Sequence, residues 1–136
     1  MDNATKRTYV IAHVERARDD LATARENLVH SHWRGAANRA YYAVFHTASA
    51  VLLWLDIERA RHSGVQAAFG EFCVKPGLIE AEFSRIYNRV RQVREMQDYD
   101  LRAPSLTAEE TQRLVSDAER FVNRLASYLH DVGAME

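Results

Sequence analysis

Val10, Val14, Ala17, Leu21, Ala24 and Leu28 follow one another at alternating intervals of four and three, which places them on one face of a helix over roughly residues 6–30. The same alternation returns in Tyr41, Phe45, Ala48, Leu52 and Leu55, again from Ile79 through Phe83, Ile86 and Val90 to Val93, and finally from Leu114 through Ala118, Phe121 and Leu125 to Tyr128. Four long helices are predicted, each with an apolar stripe that needs a partner, and no strand-like alternation competes with them. The connections are short. The fold class that follows is all-α, an antiparallel up-and-down four-helix bundle, with Tyr41 and Phe45 together in its core.

Capping signals refine the boundaries. Ser31 is placed to cap the second helix, and Thr107 with Glu110 has the Ser/Thr-x-x-Glu form in which the two residues satisfy each other's free amides. Between the second and third long stripes, "HSGVQAAFGEFCVKPG" offers Ser63 with Gln66 as another capping box. It predicts one short extra helix ended by Lys75-Pro76-Gly77.

Length and charge narrow the class further. A chain of 136 residues, 47% hydrophobic, is expected to form a single domain over 1–136 with its core over about 8–130. The formal charge of −1 supplies no global field toward nucleic acid or an anionic membrane, so any such binding needs a local patch. All the basic residues except Lys6 and Lys75 are arginine, whose planar fork suits phosphate. The lone Cys73 rules out an internal disulfide and fits a reducing compartment. The first residues lack the apolar stretch of a secretion signal, and the apolar run Tyr41 to Leu55, interrupted by His46, Thr47 and Ser49, is too short to span a bilayer. A soluble, cytoplasmic chain without membrane contact is expected.

Two constellations carry candidate chemistry. In "NRAYYAVFH", Arg39 and His46 stand two helical turns apart, a pair able to hold a phosphate and move a proton; equally, Arg39 can bond a neighbouring carboxylate while His46 is a satisfied half-buried side chain. In "RIYNRVRQVREMQDYDLR", Arg85, Arg89, Arg91, Arg94 and Arg102 cluster near the end of the third long helix. There Arg91 faces Glu95 and Arg94 faces Asp98 at i, i+4. As surface pairs these contribute only about 0.3–0.5 kcal/mol each. As a site, Arg89, Arg91, Arg94 and Asp98 beside Tyr87 and Tyr99 are candidates to track an RNA backbone with stacking support. His30 and His32 have the look of a metal pair but lack companion ligands, and a turn is the expected reading; no metal and no cofactor is predicted. Glycine-rich phosphate loops and nucleophile elbows are missing, which disfavours ordinary hydrolases and nucleotide-binding enzymes.

"AANRAYYAVFHTASAVLLWLDIE", "HSGVQAAFGEFCVKPGLIE" and "RVRQVREMQDYD", in that order and spacing, closely resemble the HEPN (higher eukaryote and prokaryote nucleotide-binding) domains, in their small stand-alone bacterial and archaeal subgroup. The resemblance implies an up-and-down helical bundle, commonly a homodimer, often paired with a minimal nucleotidyltransferase in toxin–antitoxin systems. Many members are metal-independent ribonucleases whose Arg-x(4–6)-His motifs meet across the dimer. Arg94 matches the motif arginine, but the residue after the four-residue spacer is Tyr99, and a phenol, with its reference pKa near 10, is a poor base at neutral pH. Arg94 and Tyr99 are therefore the candidate catalytic pair, and Arg39 with His46, which has the right spacing on a different helix, is the alternative. Tyr99, flanked by Asp98 and Asp100, is also the candidate for nucleotidylation by the partner. The expectation is a HEPN subunit of a toxin–antitoxin type pair, homodimeric, binding RNA or nucleotide through its arginines and partnered by a nucleotidyltransferase. The alternatives are an active metal-independent ribonuclease toxin and a structural helical adaptor.

Overall fold

The computed structural model describes residues 1–136. It is all-helical: α1 spans Asn3–Val29, α2 Trp33–Trp54, α3 His62–Phe69, α4 Glu82–Tyr99 and α5 Ala108–Asp131, with one π-helical turn, Gly70–Val74, continuing α3. Cross-helix pairs fix the directions. Asp20 meets Arg39 and His13 meets His46, so α1 and α2 are antiparallel; Asn38 meets Asp98 across α2 and α4. Arg89 meets Asp117 and Arg120 meets Glu82 across α4 and α5, while Arg25 meets Glu119 across α1 and α5. The four long helices therefore run up, down, up and down, with α3 inserted between the second and third, as the stripes predict. No helix is long and apolar enough to cross a membrane.

α2 is the central element, packed against α1, α3, α4 and α5. Small residues dominate its buried surface: Ala36, Ala37, Ala40, Ala43, Ala48 and Ala50 are all buried. Thr47 is buried too, at no hydrogen-bonding loss, because its hydroxyl donates to Ala43 O at 2.8 Å; Ser49 does the same to Phe45 O at 2.8 Å. An apolar stripe alone understates this helix. It also misplaces Phe45, which is only partly buried and packs on the His62 ring at 4.2 Å between centroids, whereas Tyr41 is in the core at 1% exposure.

The caps follow the sequence in one case and depart from it in two. Thr107 Oγ1 accepts from Glu110 N at 3.1 Å and Glu110 Oε2 accepts from Thr107 N at 3.3 Å, the reciprocal box expected at the start of α5. Ser31 does not cap α2. It lies in the left-handed region at φ 59°, and its amide donates to Leu28 O while that of His32 donates to Asn27 O; both residues close α1 instead. Nor do Ser63 and Gln66 form a box, since α3 begins one residue earlier, at His62, and carries no side-chain cap. Ile79, predicted as the first stripe residue of the third long helix, is buried but precedes α4, after a turn that Gly77 makes at φ 89°.

The core is one cluster centred on Phe69, Tyr87 and Phe121, whose rings lie 5.2–5.8 Å apart, with Phe83 6.1 Å from Phe121. Cys73 is buried within it, and burial pushes its thiol up to about 12, which keeps it protonated and unreactive.

Candidate functional site

Arg94 sits on the last turns of α4, where the helix crosses the N-terminal half of α2. Its guanidinium lies over the Tyr41 ring at 4.4 Å, with Tyr42 at 5.6 Å and Tyr99 at 5.9 Å. The side chain is 11% exposed, its nearest carboxylate oxygen is Asp98 Oδ2 at 3.9 Å, and its Nε is buried without a hydrogen-bond partner. A distance of 3.9 Å is an ion pair but not a hydrogen bond. Other arginines are committed differently: Arg124 donates to Glu80 at 2.6 and 2.9 Å, Arg120 to Glu82 at 2.8 Å, and Arg39 to Asp20 at 3.0 Å. Arg94 is thus held by aromatic faces, with its donors unspent.

A polar chain ties this arginine to α1. Asn38 donates to Asp98 Oδ2 at 3.2 Å and accepts from Arg39 Nη2 at 2.6 Å, and Arg39 reaches Asp20, whose side chain is buried. Burial raises the Asp20 carboxyl, and the charges of Arg39 and Arg16 oppose the rise. Arg39 also lies over Tyr42 at 4.9 Å, so both guanidinium groups touch that ring. Beside the chain opens a groove of about 350 Å³ lined by no hydrophobic residue, formed by residues that include Asn27, Arg34, Asn38, Arg39 and Asp98.

The rest of the arginine cluster does not converge there. Arg89 and Arg94 lie on different faces of α4; Arg89 pairs with Asp117 on α5, and Arg91 spends its fork on Glu95 at 2.9 Å and Asn88 at 2.7 Å. Arg39 and His46 also part company. Arg39 turns to Asp20, and His46 Nδ1 lies 3.2 Å from His13 Nδ1. Burial first, then the neighbouring charge of His13 and of Arg16, Arg39 and His62, drives the His46 pKa from 6.5 to about 4. The bonded-carboxylate and half-buried-imidazole reading of that pair is the observed one. Stability should follow. An unfolded chain takes up a proton on His46 below its ordinary 6.5 that the folded chain refuses until about 4, so stability falls as pH drops through that window and is unaffected above it. Thermal melting at about pH 7 and about pH 5 should show a lower Tm at the acidic value, and His46→Gln should shrink the difference. An undiminished difference would assign the acid sensitivity to other groups.

His62, which the sequence reading passed over, belongs to the site. As the first residue of α3 it brings Nδ1 to 3.3 Å from Tyr41 Oη, and its ring lies 5.8 Å from that of Tyr42. Burial, and after it the charge of Arg94, lowers its pKa. Tyr99 is 74% exposed at the end of α4, its hydroxyl open to a reagent. His30 and His32 flank the α1–α2 turn with rings 6.1 Å apart, and no third histidine, cysteine or carboxylate joins them in a group.

Comparison with known proteins decides the family: residues 10–128 match the HEPN domain. The chain belongs to the HEPN family. A Methanocaldococcus jannaschii protein named as a "putative toxin" is 34% identical over 130 residues, covering 96% of each chain. A Thermotoga maritima protein named UPF0332 is 33% identical over 117 residues, covering 86% of this chain and 88% of its own. A second Methanocaldococcus jannaschii protein with the "putative toxin" name is 31% identical over 117 residues, covering 85% and 78%. Within this HEPN chain, the residues that follow Arg94 after spacers of four, five and six are Tyr99, Asp100 and Leu101, and none is a histidine. The imidazole that senses Arg94 arrives from α3.

Proposed function

We propose that this HEPN chain is a toxin-like subunit that binds RNA or a nucleotide through Arg94 and acts with a minimal nucleotidyltransferase partner. One observation carries the reading: a nearly buried guanidinium rests on tyrosine faces, with an unpartnered Nε–H and no carboxylate within hydrogen-bond reach. A phosphate offers that fork the short charge-assisted bonds that Asp98 at 3.9 Å does not. Exposed Tyr99 gives a flat surface on which a base can stack, and the groove past Asn38 and Arg39 supplies a path for the adjoining backbone. The names of the Methanocaldococcus jannaschii relatives support the toxin-like assignment.

On this reading the chain is a single-domain homodimer, in which a two-fold axis brings two Arg94 sites into one groove. Tyr99 is the residue a nucleotidyltransferase modifies, because its hydroxyl is exposed and stands next to Arg94, which can steady an incoming phosphate. The reading assigns binding to the site and no cleavage to Tyr99. Fluorescence anisotropy with a random-sequence single-stranded RNA pool tests it. Saturable binding that weakens steeply with salt is expected, and no binding at low salt would contradict it.

A further inference from the structure

A cavity of about 480 Å³ opens where α1, the end of α2, the loop that follows it and α3 meet, and it shares no residue with the groove beside Asn38. Its lining is mostly apolar, with Leu52 and Val65 buried and Phe45, Leu53 and Ile57 partly buried. The loop is fixed. Asp56 follows the end of α2 in the left-handed region at φ 61°, its amide donating to Leu53 O at 3.0 Å and that of Ile57 to Leu52 O at 2.9 Å, and the buried Lys6 ammonium holds its carboxylate at 3.1 Å. Glu58, two residues on, lines the cavity with no ion-pair partner for its carboxylate: Lys6 is committed to Asp56, and Arg59 donates to the Glu58 backbone oxygen at 2.7 Å with its guanidinium 5.9 Å over Phe72, a ring that does not line the cavity.

We propose that this cavity binds a small primary amine with an apolar body, of the size of a single-ring arylalkylamine. The polar groups among its lining residues are acceptors. Ser49 Oγ has spent its hydrogen on Phe45 O at 2.8 Å and keeps only lone pairs, and Glu58 is a carboxylate. His13 is half-buried, and burial lowers its pKa, so its ring is neutral near pH 7. In the tautomer that donates Nδ1–H to His46 Nδ1, 3.2 Å away, the second ring nitrogen, Nε2, is an acceptor too. An ammonium carries three donors and no acceptor, the complement of these three groups, while its hydrocarbon covers Leu52 and Val65. A carboxylate in the same place would meet the like charge of Glu58, with the Arg59 guanidinium drawn away over Phe72. The site is independent of RNA binding at Arg94.

Isothermal titration calorimetry of the full-length chain with phenethylamine, phenethyl alcohol and hydrocinnamate tests the proposal, since the three share a ring and differ in the polar group. The amine should bind at one site, the alcohol at least about 10-fold more weakly and the carboxylate not at all. Glu58→Gln changes an exposed side chain, so Tm should hold, while amine affinity should fall by at least about 10-fold and alcohol affinity should stay as it is. Arg59→Gln should leave amine affinity unchanged, because that guanidinium is engaged outside the cavity. Wild-type protein that takes up no amine at millimolar concentration would overturn the proposal. So would an alcohol that binds as tightly as the amine, or folded Glu58→Gln protein with wild-type amine affinity.

Discussion

Phe121→Ala is expected to destabilise the fold by about 3–5 kcal/mol. Phe121 is fully buried on α5, and its ring meets Phe69 of α3 at 5.2 Å, Tyr87 of α4 at 5.7 Å and Phe83 of α4 at 6.1 Å. Truncation leaves a void among three elements that already hold one another in place, so little relaxation can fill it. α3 should loosen first, because it is short and Phe69 is one of its few buried residues. The same substitution at Phe45 should cost distinctly less, since that ring is partly buried and lies against a histidine at the surface. Urea unfolding of the two variants makes the comparison. A loss at Phe121 of under about 1 kcal/mol, or a larger loss at Phe45, would mean that the aromatic centre of the core has been misplaced.

The contrast between these two phenylalanines shows how far the sequence is legible. The stripes of α1 and α5 hold over Val10 to Ala24 and Leu114 to Leu125, where intervals of three and four pick out buried positions directly, but their last predicted members, Leu28 and Tyr128, are only partly buried, and α5 buries Leu129 instead. α2 defeats the same rule. It is surrounded by four other helices, so Ala43, Val44, Thr47, Ala50 and Val51 are buried alongside the predicted stripe, and Phe45, which continues the stripe by spacing, faces α3 at the edge. Boundaries behave likewise. Thr107 and Glu110 form a local motif that needs no tertiary context, whereas Ser31 is claimed by the closing turn of α1 before it can serve α2.

The candidate site is legible by halves. Arg94, Asp98 and Tyr99 stand within one helix, so their spacing and the HEPN resemblance expose them together. His62 lies far from them in sequence, on the inserted α3, inside a segment whose "HSGV" reads as helix-start punctuation. Only the packing of α3 across Tyr41 brings it near. The divergence of Arg89 from Arg94 could have been found by turning each position at about 100° per residue, whereas Arg91 shares the Arg94 side of the helix and is withdrawn only by its bonds to Glu95 and Asn88.

Arg94→Ala is expected to abolish RNA binding while leaving the bundle folded. The side chain makes no hydrogen bond through its buried Nε and only a 3.9 Å ion pair through Nη1, so the fold depends on it mainly for cover over Tyr41, Tyr42 and Tyr99. A bound phosphate, by contrast, would lose both members of a forked charge-assisted contact. Truncating one partner of such a pair costs about 2–5 kcal/mol, which is a loss of at least about 30-fold in affinity. Arg94→Lys should fall between, because it keeps the charge and gives up the fork. Arg91→Ala is the internal control, since its guanidinium is spent on Glu95 and Asn88. The most direct measurement is therefore RNA affinity by fluorescence anisotropy for the wild type and these three variants, at one fixed low salt concentration, with folding confirmed by thermal melting. The account predicts binding by the wild type and Arg91→Ala, weakened binding by Arg94→Lys and none by Arg94→Ala; folded Arg94→Ala protein that binds RNA as tightly as the wild type would contradict it.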